Sequence, residues 1–158
     1  MANPARAPST PTPVSDEPTY EGDLYAWSMR QAEHLRAGNF GALDLQRLAE
    51  EIEDVGKSEF NILVSALTVV IQHMLKWDQQ PAKRTRSWAL SIDEHRFRAE
   101  RALEESPSLR SRWDEAVSRA YYYGVRRAAR ETRLSLSLFP AECPYSTKEI
   151  RQREFPVD

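Results

Sequence analysis

Apolar residues recur every three or four positions along most of the chain, the period of an amphipathic helix. The longest run is Leu45, Leu48, Ile52 and Val55, followed by Phe60, Leu63, Leu67, Val70, Ile71 and Met74. It predicts one long helix, capped by Asp44 and ended by Pro81. Before Gly56 the stripe is narrow and the flanks are charged; beyond it, Val64, Ala66, Val69, Leu75 and Trp77 make the helix apolar nearly all round. A helix of that kind is central to a bundle or to a dimer. Gly56 is its weak point and marks a kink or a close helix crossing.

Shorter periodic segments flank this helix. A first helix is expected over Leu24–Ala37, with Asp23 as N-cap, Gly38 as its stop, and a stripe of Leu24, Trp27 or Ser28, Ala32 and Leu35. A third, capped by Ser87, runs from Trp88 to about Glu105 on a thin stripe of Trp88, Ile92, His95, Ala99 and Leu103. Ser106-Pro107 is a restart signal, serine as cap and proline in the first turn. The fourth helix carries Leu109, Trp113, Ala116, Val117, Ala120, Tyr123 and Ala128. Leu134–Tyr145 reads as irregular, with Pro140 and Pro144, and a short last helix starts at Ser146 or Thr147. No strand pattern of weight and no internal repeat is present. The expected fold is therefore all-α, a helical bundle around one long central helix, with a short C-terminal helix.

Composition adds a boundary at the N-terminus. Five of the ten prolines lie in MANPARAPSTPTPVSDEP. Such a stretch cannot bury enough apolar surface to offset ordering entropy, so residues 1–19 are expected to be a disordered tail and residues 20–158 a single all-α domain. The tail lacks the apolar run of a signal peptide. Ile62–Trp77, interrupted by Gln72, His73 and Lys76, reads as too short and too polar to span a bilayer, so no membrane partner is expected. One cysteine, Cys143, leaves no internal disulfide and no multi-cysteine zinc cage, and a cytoplasmic location is expected.

Charge is small in total and uneven along the chain. The net charge is −2, so no global field favours nucleic acid. Residues 20–80 carry a net −5 and residues 81–133 a net +5. The basic third and fourth helices are expected beside the acidic second one, within one chain or across a dimer.

Several segments together resemble a known family. They are YEGDLYAWSMRQAEHLRAGNF (20–40), LDLQRLAEEIEDVGKSE (43–59), HMLKWDQQP (73–81), RSW (86–88), SPSLR (106–110) and FPAECPY (139–145). The chain resembles the bacterial family called domain of unknown function 29 (DUF29). The resemblance implies an all-α fold and a bacterial source, and it brings no established activity.

Four residues are candidates for a metal site or a polar core: His73, His95, Glu51 and Glu53. In LAEEIEDVGKSE the 100° helical step turns Glu50 and Asp54 away from the apolar stripe and sets Glu51 and Glu53 on its flanks. Those two are the acids placed to meet neighbouring helices, and arginines from the second half of the chain are their expected partners. A di-metal bundle would use Glu-x-x-His. The positions three before His34, His73 and His95 are instead Gln31, Val70 and Ile92. His73 reads as a satisfied core histidine or, with His95 and a carboxylate, as a ligand or general base.

Lys83, Arg84, Arg86, Arg126, Arg127 and Arg130 are candidate contacts for an anion or a nucleic acid. The alternative is that these arginines neutralise the acidic second helix. Of Tyr121, Tyr122 and Tyr123, at least one must be exposed, beside Arg126 and Arg127. Cys143 has no readable histidine partner and reads as a small apolar residue. No phosphate-cradling glycine loop or nucleophile elbow is present. The expected function is a non-enzymatic module for protein–protein interaction or oligomerisation, whose partner is itself or another protein. A nucleic-acid-associated protein and a metal-dependent enzyme around His73 and His95 are the alternatives. No cofactor is predicted.

Overall fold

The structure, a computed structural model, describes residues 18–156. Most of the Pro-rich tail expected at residues 1–19 therefore lies outside the described residues. Five α-helices, linked by short 3-10 turns, make up the described chain: α1 (Leu24–Arg36), α2 (Leu45–Gln79), α3 (Arg86–Glu105), α4 (Trp113–Thr132) and α5 (Thr147–Gln152). Among the described residues there is no strand. The contacts divide the chain into two compact units, the first ending at Ile52 and the second beginning at Glu53, and the 35-residue α2 contributes to both.

In the first unit, α1 starts where the Asp23 carboxylate accepts from the Ala26 N–H, and it stops before Gly38, whose φ of 70° is a conformation that favours glycine. The buried positions of α1 are Trp27 and Gln31 rather than the expected Leu24 and Leu35, which are exposed. The Tyr20 ring stands edge-on to Trp27, and the Gln31 side-chain oxygen accepts from the Asp44 N–H at 2.8 Å. Asp44 in turn caps α2, accepting from the Arg47 N–H. Arg47 binds Glu21 and Glu50 and lies over the Tyr20 ring.

In the second unit, α2 is the core helix. Phe60, Leu63, Leu67, Val70, Ile71, Met74 and Leu75 are essentially removed from solvent, against Ile92, Ala99, Ala102 and Leu103 of α3 and Ala116, Ala120, Val125 and Ala128 of α4. Gly124 lets α4 come close: a Cβ there would stand 3.1 Å from the Thr68 carbonyl oxygen. At Gly56 the same atom would meet nothing within 4 Å, so the expected close crossing is not there. By length and composition α2 passes for a bilayer-spanning helix, contrary to the expectation from Gln72, His73 and Lys76; 61% of the qualifying stretch is buried within the protein.

Local chemistry shifts other expected details. Thr85, not Ser87, caps α3, accepting from the Trp88 N–H. Ser106 makes no side-chain cap; its hydroxyl donates to Glu59, and a 3-10 turn over Pro107–Arg112 leads into α4. Tyr121 is the inward tyrosine of α4, while Tyr122 and Tyr123 are exposed. Ser146 and Glu149 form a reciprocal capping box at α5.

The C-terminal segment is held by charged side chains. Arg96 of α3 donates to the carbonyls of Glu149, Ile150 and Arg153 at 2.6–2.8 Å. Asp78 takes both arms of Arg153 and the Tyr145 hydroxyl. Burial raises the Asp78 carboxyl, but the bonds from Arg153 and Tyr145 outweigh it and hold the group below its ordinary range.

Candidate functional site

The four candidates for a metal site or polar core are not brought together. Glu51 accepts from the Tyr20 hydroxyl, and Glu53 is exposed with Lys57 at 3.6 Å. Neither has the expected arginine partner from the second half of the chain among the described residues: Glu51 is taken by Tyr20, thirty-one positions earlier, and Glu53 by Lys57 one turn on. His95 bonds the Ser91 carbonyl one turn back on α3. Among the described residues, no group of three or more histidine, cysteine, aspartate or glutamate side chains converges as a metal would require.

His73 sits in a polar pocket of different design. Lys76, with only 9% of its side chain exposed, binds Glu131 at 2.7 Å and lies 4.4 Å from the Trp88 ring centre; Gln72 donates to the other Glu131 oxygen at 2.8 Å. The His73 Nδ1 atom is buried with no partner among the described residues. Burial pushes its pKa from 6.5 down to about 4; Lys76 and His95 add to the shift and Glu131 opposes it.

The neutral ring therefore belongs to the folded state. Between about pH 4 and 6.5 the unfolded chain binds the proton and the folded chain does not, so stability is full above pH 6.5 and falls as the pH drops through that window. The expected contribution is about 1–2 kcal/mol, discounted because the ring is partly exposed. Urea melts of wild type and His73→Gln at pH 7 and pH 5 check it. The wild type should lose more than the variant, and equal losses would contradict the assignment.

The basic candidates also separate. Arg84 donates to the Trp77 carbonyl at 3.1 Å and lies over that indole, so it fastens the loop after α2. Lys83 and Arg86 are exposed in that loop and at the start of α3. Arg126 donates to the Tyr122 carbonyl and covers its ring at 3.5 Å. Arg127 and Arg130 are exposed on α4.

A surface groove of about 1080 Å³ lies between α4 and the chain from Leu136 to Ile150, and it includes Cys143. Two of its lining residues hold the fold together: the Tyr121 hydroxyl donates to the Pro140 carbonyl and the Trp113 ring N–H to Thr147. Burial pushes the Cys143 thiol up, away from the reactive thiolate.

What the fold leaves uncovered is a face of α2. Every residue from Glu53 to Ser58 is exposed, so no side of these turns is covered within the described chain. Val55, expected in the core stripe, is 67% exposed, and Ile62, seven residues on, is 49% exposed. Ile52 and Leu45 in the first unit are exposed as well. Beyond Val55 the face runs into a second groove, of about 570 Å³, between α2 and α3. Ile62, Ala66 and Val69 form its α2 side, and Arg98 and Arg101 of α3 with Arg127 of α4 supply its charge. The spacing of Val55, Ile62 and Val69 is a seven-residue repeat, the seam of a helix that pairs with another helix. That spacing was present in the sequence, where Val55 read as part of the core stripe and Val69 as part of a helix central to a bundle or to a dimer.

These features define an all-α helical protein whose charged side chains fasten its own segments and which leaves apolar residues of α2, Val55 and Ile62 among them, uncovered. The chain belongs to the family described as Domain of unknown function DUF29, whose family model matches residues 19–156. A search of the curated proteins and a search of the solved structures each found no match.

Proposed function

We propose that this chain is a non-enzymatic protein–protein contact module and that its contact face is the α2 seam through Val55, Ile62 and Val69. The observation that carries the proposal is the bare stretch Glu53–Ser58, which on one side of α2 continues into a groove floored by Ile62, Ala66 and Val69. Fully burying a side chain of this size is worth about 1.5–3 kcal/mol. A partner helix laid along Val55 and Ile62 recovers much of that, which the isolated chain leaves unused. The depletion of charge along the seam, with charge on its rim, matches the anatomy of contact surfaces.

Hydrogen–deuterium exchange at rising protein concentration tests this. Peptides covering Glu53–Val69 and Arg98–Glu105 should gain protection as concentration rises, while those of α5 should not change. Exchange independent of concentration across the chain would count against association through this face.

A further inference from the structure

We infer that the exposed face of α4 binds single-stranded nucleic acid, with its arginines on the phosphates and its tyrosines against the bases. The inference concerns a different helix from the α2 seam and stands without it. Between Glu115 and Glu131 the chain carries four arginines and no acid. Arg119, Arg126, Arg127 and Arg130 are all exposed, and Tyr122 and Tyr123 between them are 53% and 46% exposed. At about 100° per residue, Arg119, Tyr123, Arg127 and Arg130 stand within about 80° of one another, and Tyr122 and Arg126 adjoin them on one side. The stripe from Arg119 to Arg130 is about 16 Å long, room for several phosphates of one strand.

The carboxylates of the fold do not claim these arginines. Glu131 is taken by Lys76 and Gln72, and Glu115 by both arms of Arg112. Arg127 and Arg130 have no ion-pair partner among the described residues. Arg119 lies 5.4 Å from the Phe60 ring centre, and Arg126 covers Tyr122 and donates to its carbonyl. A cation in the last turn of a helix is favoured by the helix dipole, which accounts for Arg130 but not for the other three. At that end Gln80 donates to the Thr132 carbonyl, which sets the turn that carries exposed Lys83 beside the end of α4.

This charge calls for a polyanion, and the side chains narrow its kind. The cations of α4 are all arginines, whose planar forks match phosphate oxygens in pairs. Tyr122 and Tyr123 offer ring surface for bases to stack on, and unpaired bases have a free face to meet it, whereas bases within a duplex are stacked on one another. A membrane-binding helix would turn an apolar side outward. The apolar side of α4, with Ala116, Ala120, Val125 and Ala128, is buried in the core instead.

Fluorescence anisotropy of the full-length protein with a labelled strand of roughly twenty thymidines tests the inference. With one phosphate on each of three or four arginines, raising salt from about 50 to 200 mM should weaken binding roughly 20- to 50-fold. Arg127→Gln with Arg130→Gln should bind at least roughly tenfold more weakly at the lower salt and lose about half of the salt dependence. Tyr122→Ser with Tyr123→Ser should weaken binding roughly 5- to 100-fold and leave the salt dependence unchanged, because stacking releases no counterions. Arg30→Gln with Arg36→Gln, which removes the same charge from α1, should bind as wild type. All six positions are exposed, so circular dichroism and melting curves should match wild type throughout. No binding at the lower salt overturns the inference, as does equal weakening by the α1 and α4 arginine pairs. A duplex of the same length bound as tightly as the strand overturns the single-stranded assignment, and polyglutamate that competes equally at equal charge overturns nucleic acid in favour of an acidic protein.

Discussion

Arg96→Ala should lower the stability of the protein by about 3 kcal/mol in urea unfolding and release the chain from Thr147 to Phe155. The last carbonyls of any α-helix lack intrahelical partners. In α5, only six residues long, the Arg96 guanidinium supplies partners to Glu149, Ile150 and Arg153 together. A helix of that length does not persist alone in water. Losing the guanidinium removes the Arg96 bonds to the Ile150 and Arg153 carbonyls, leaves Glu149 with only the Arg153 N–H, and loosens two apolar anchors, Ile150 in the core and Phe155 edge-on to Trp77. Arg96→Lys should rescue little, because one ammonium cannot present a planar fork to three carbonyls. Stability within a few tenths of a kcal/mol of wild type would contradict the clasp.

Glu131→Ala is expected to destabilise by about 2–3 kcal/mol, less than a fully buried pair because water reaches Glu131. The Lys76 ammonium is the nearly buried partner, and Glu131 keeps 42% of its side chain exposed. Burial alone would raise the Glu131 carboxyl, but the bonds from Lys76 and Gln72 hold it below its ordinary range. Removing Glu131 leaves a buried cation whose remaining support is the Trp88 ring. The double variant Glu131→Ala with Lys76→Met should recover most of the loss, since an apolar side chain of similar size needs no counter-charge. If the double variant is as unstable as the single one, the cost does not come from an uncompensated charge.

Local chemistry was the part of the fold most legible in the sequence. Asp23, Asp44 and Ser146 cap their helices as their positions suggest, and Gly38 stops α1, because these bonds span only three or four residues. Thr85 and Ser87 differ by half a turn, and both are good cap residues, so the sequence did not decide between them. Periodicity located the apolar face of α2, but it does not say what covers that face. Phe60, Leu63, Leu67, Val70, Ile71 and Met74 are buried in the core with residues of α3 and α4, and Val55 is exposed, although the two stretches carry the same repeat. The Arg96 clasp joins residues more than fifty positions apart. No local pattern encodes such a pairing, and Arg96 read as one arginine among many. The same distance argument holds for Lys76 with Glu131 and for Asp78 with Arg153.

The expected acid–base pairing of the chain halves was legible in charge but not in geometry. Within the second unit the α3 acids occupy many of the arginines: Glu94 binds Arg98, Glu105 binds Arg101, and Glu100 binds Arg151. The acids at Glu53 and Asp54 are left with Lys57. The exposed Val55 and Ile62 are the physical basis for assigning α2 a contact role.

Sedimentation equilibrium of the full-length wild type beside Ile62→Asp tests that role most directly. Ile62 is exposed in the isolated chain, so the substitution should leave the fold and its melting curve intact while placing a charge on the seam. The wild type should sediment with the mass of two chains at micromolar to tens of micromolar concentration, and Ile62→Asp with the mass of one. Equal masses for the two proteins, whether one chain or two, would show that the α2 seam is not the surface through which the protein associates.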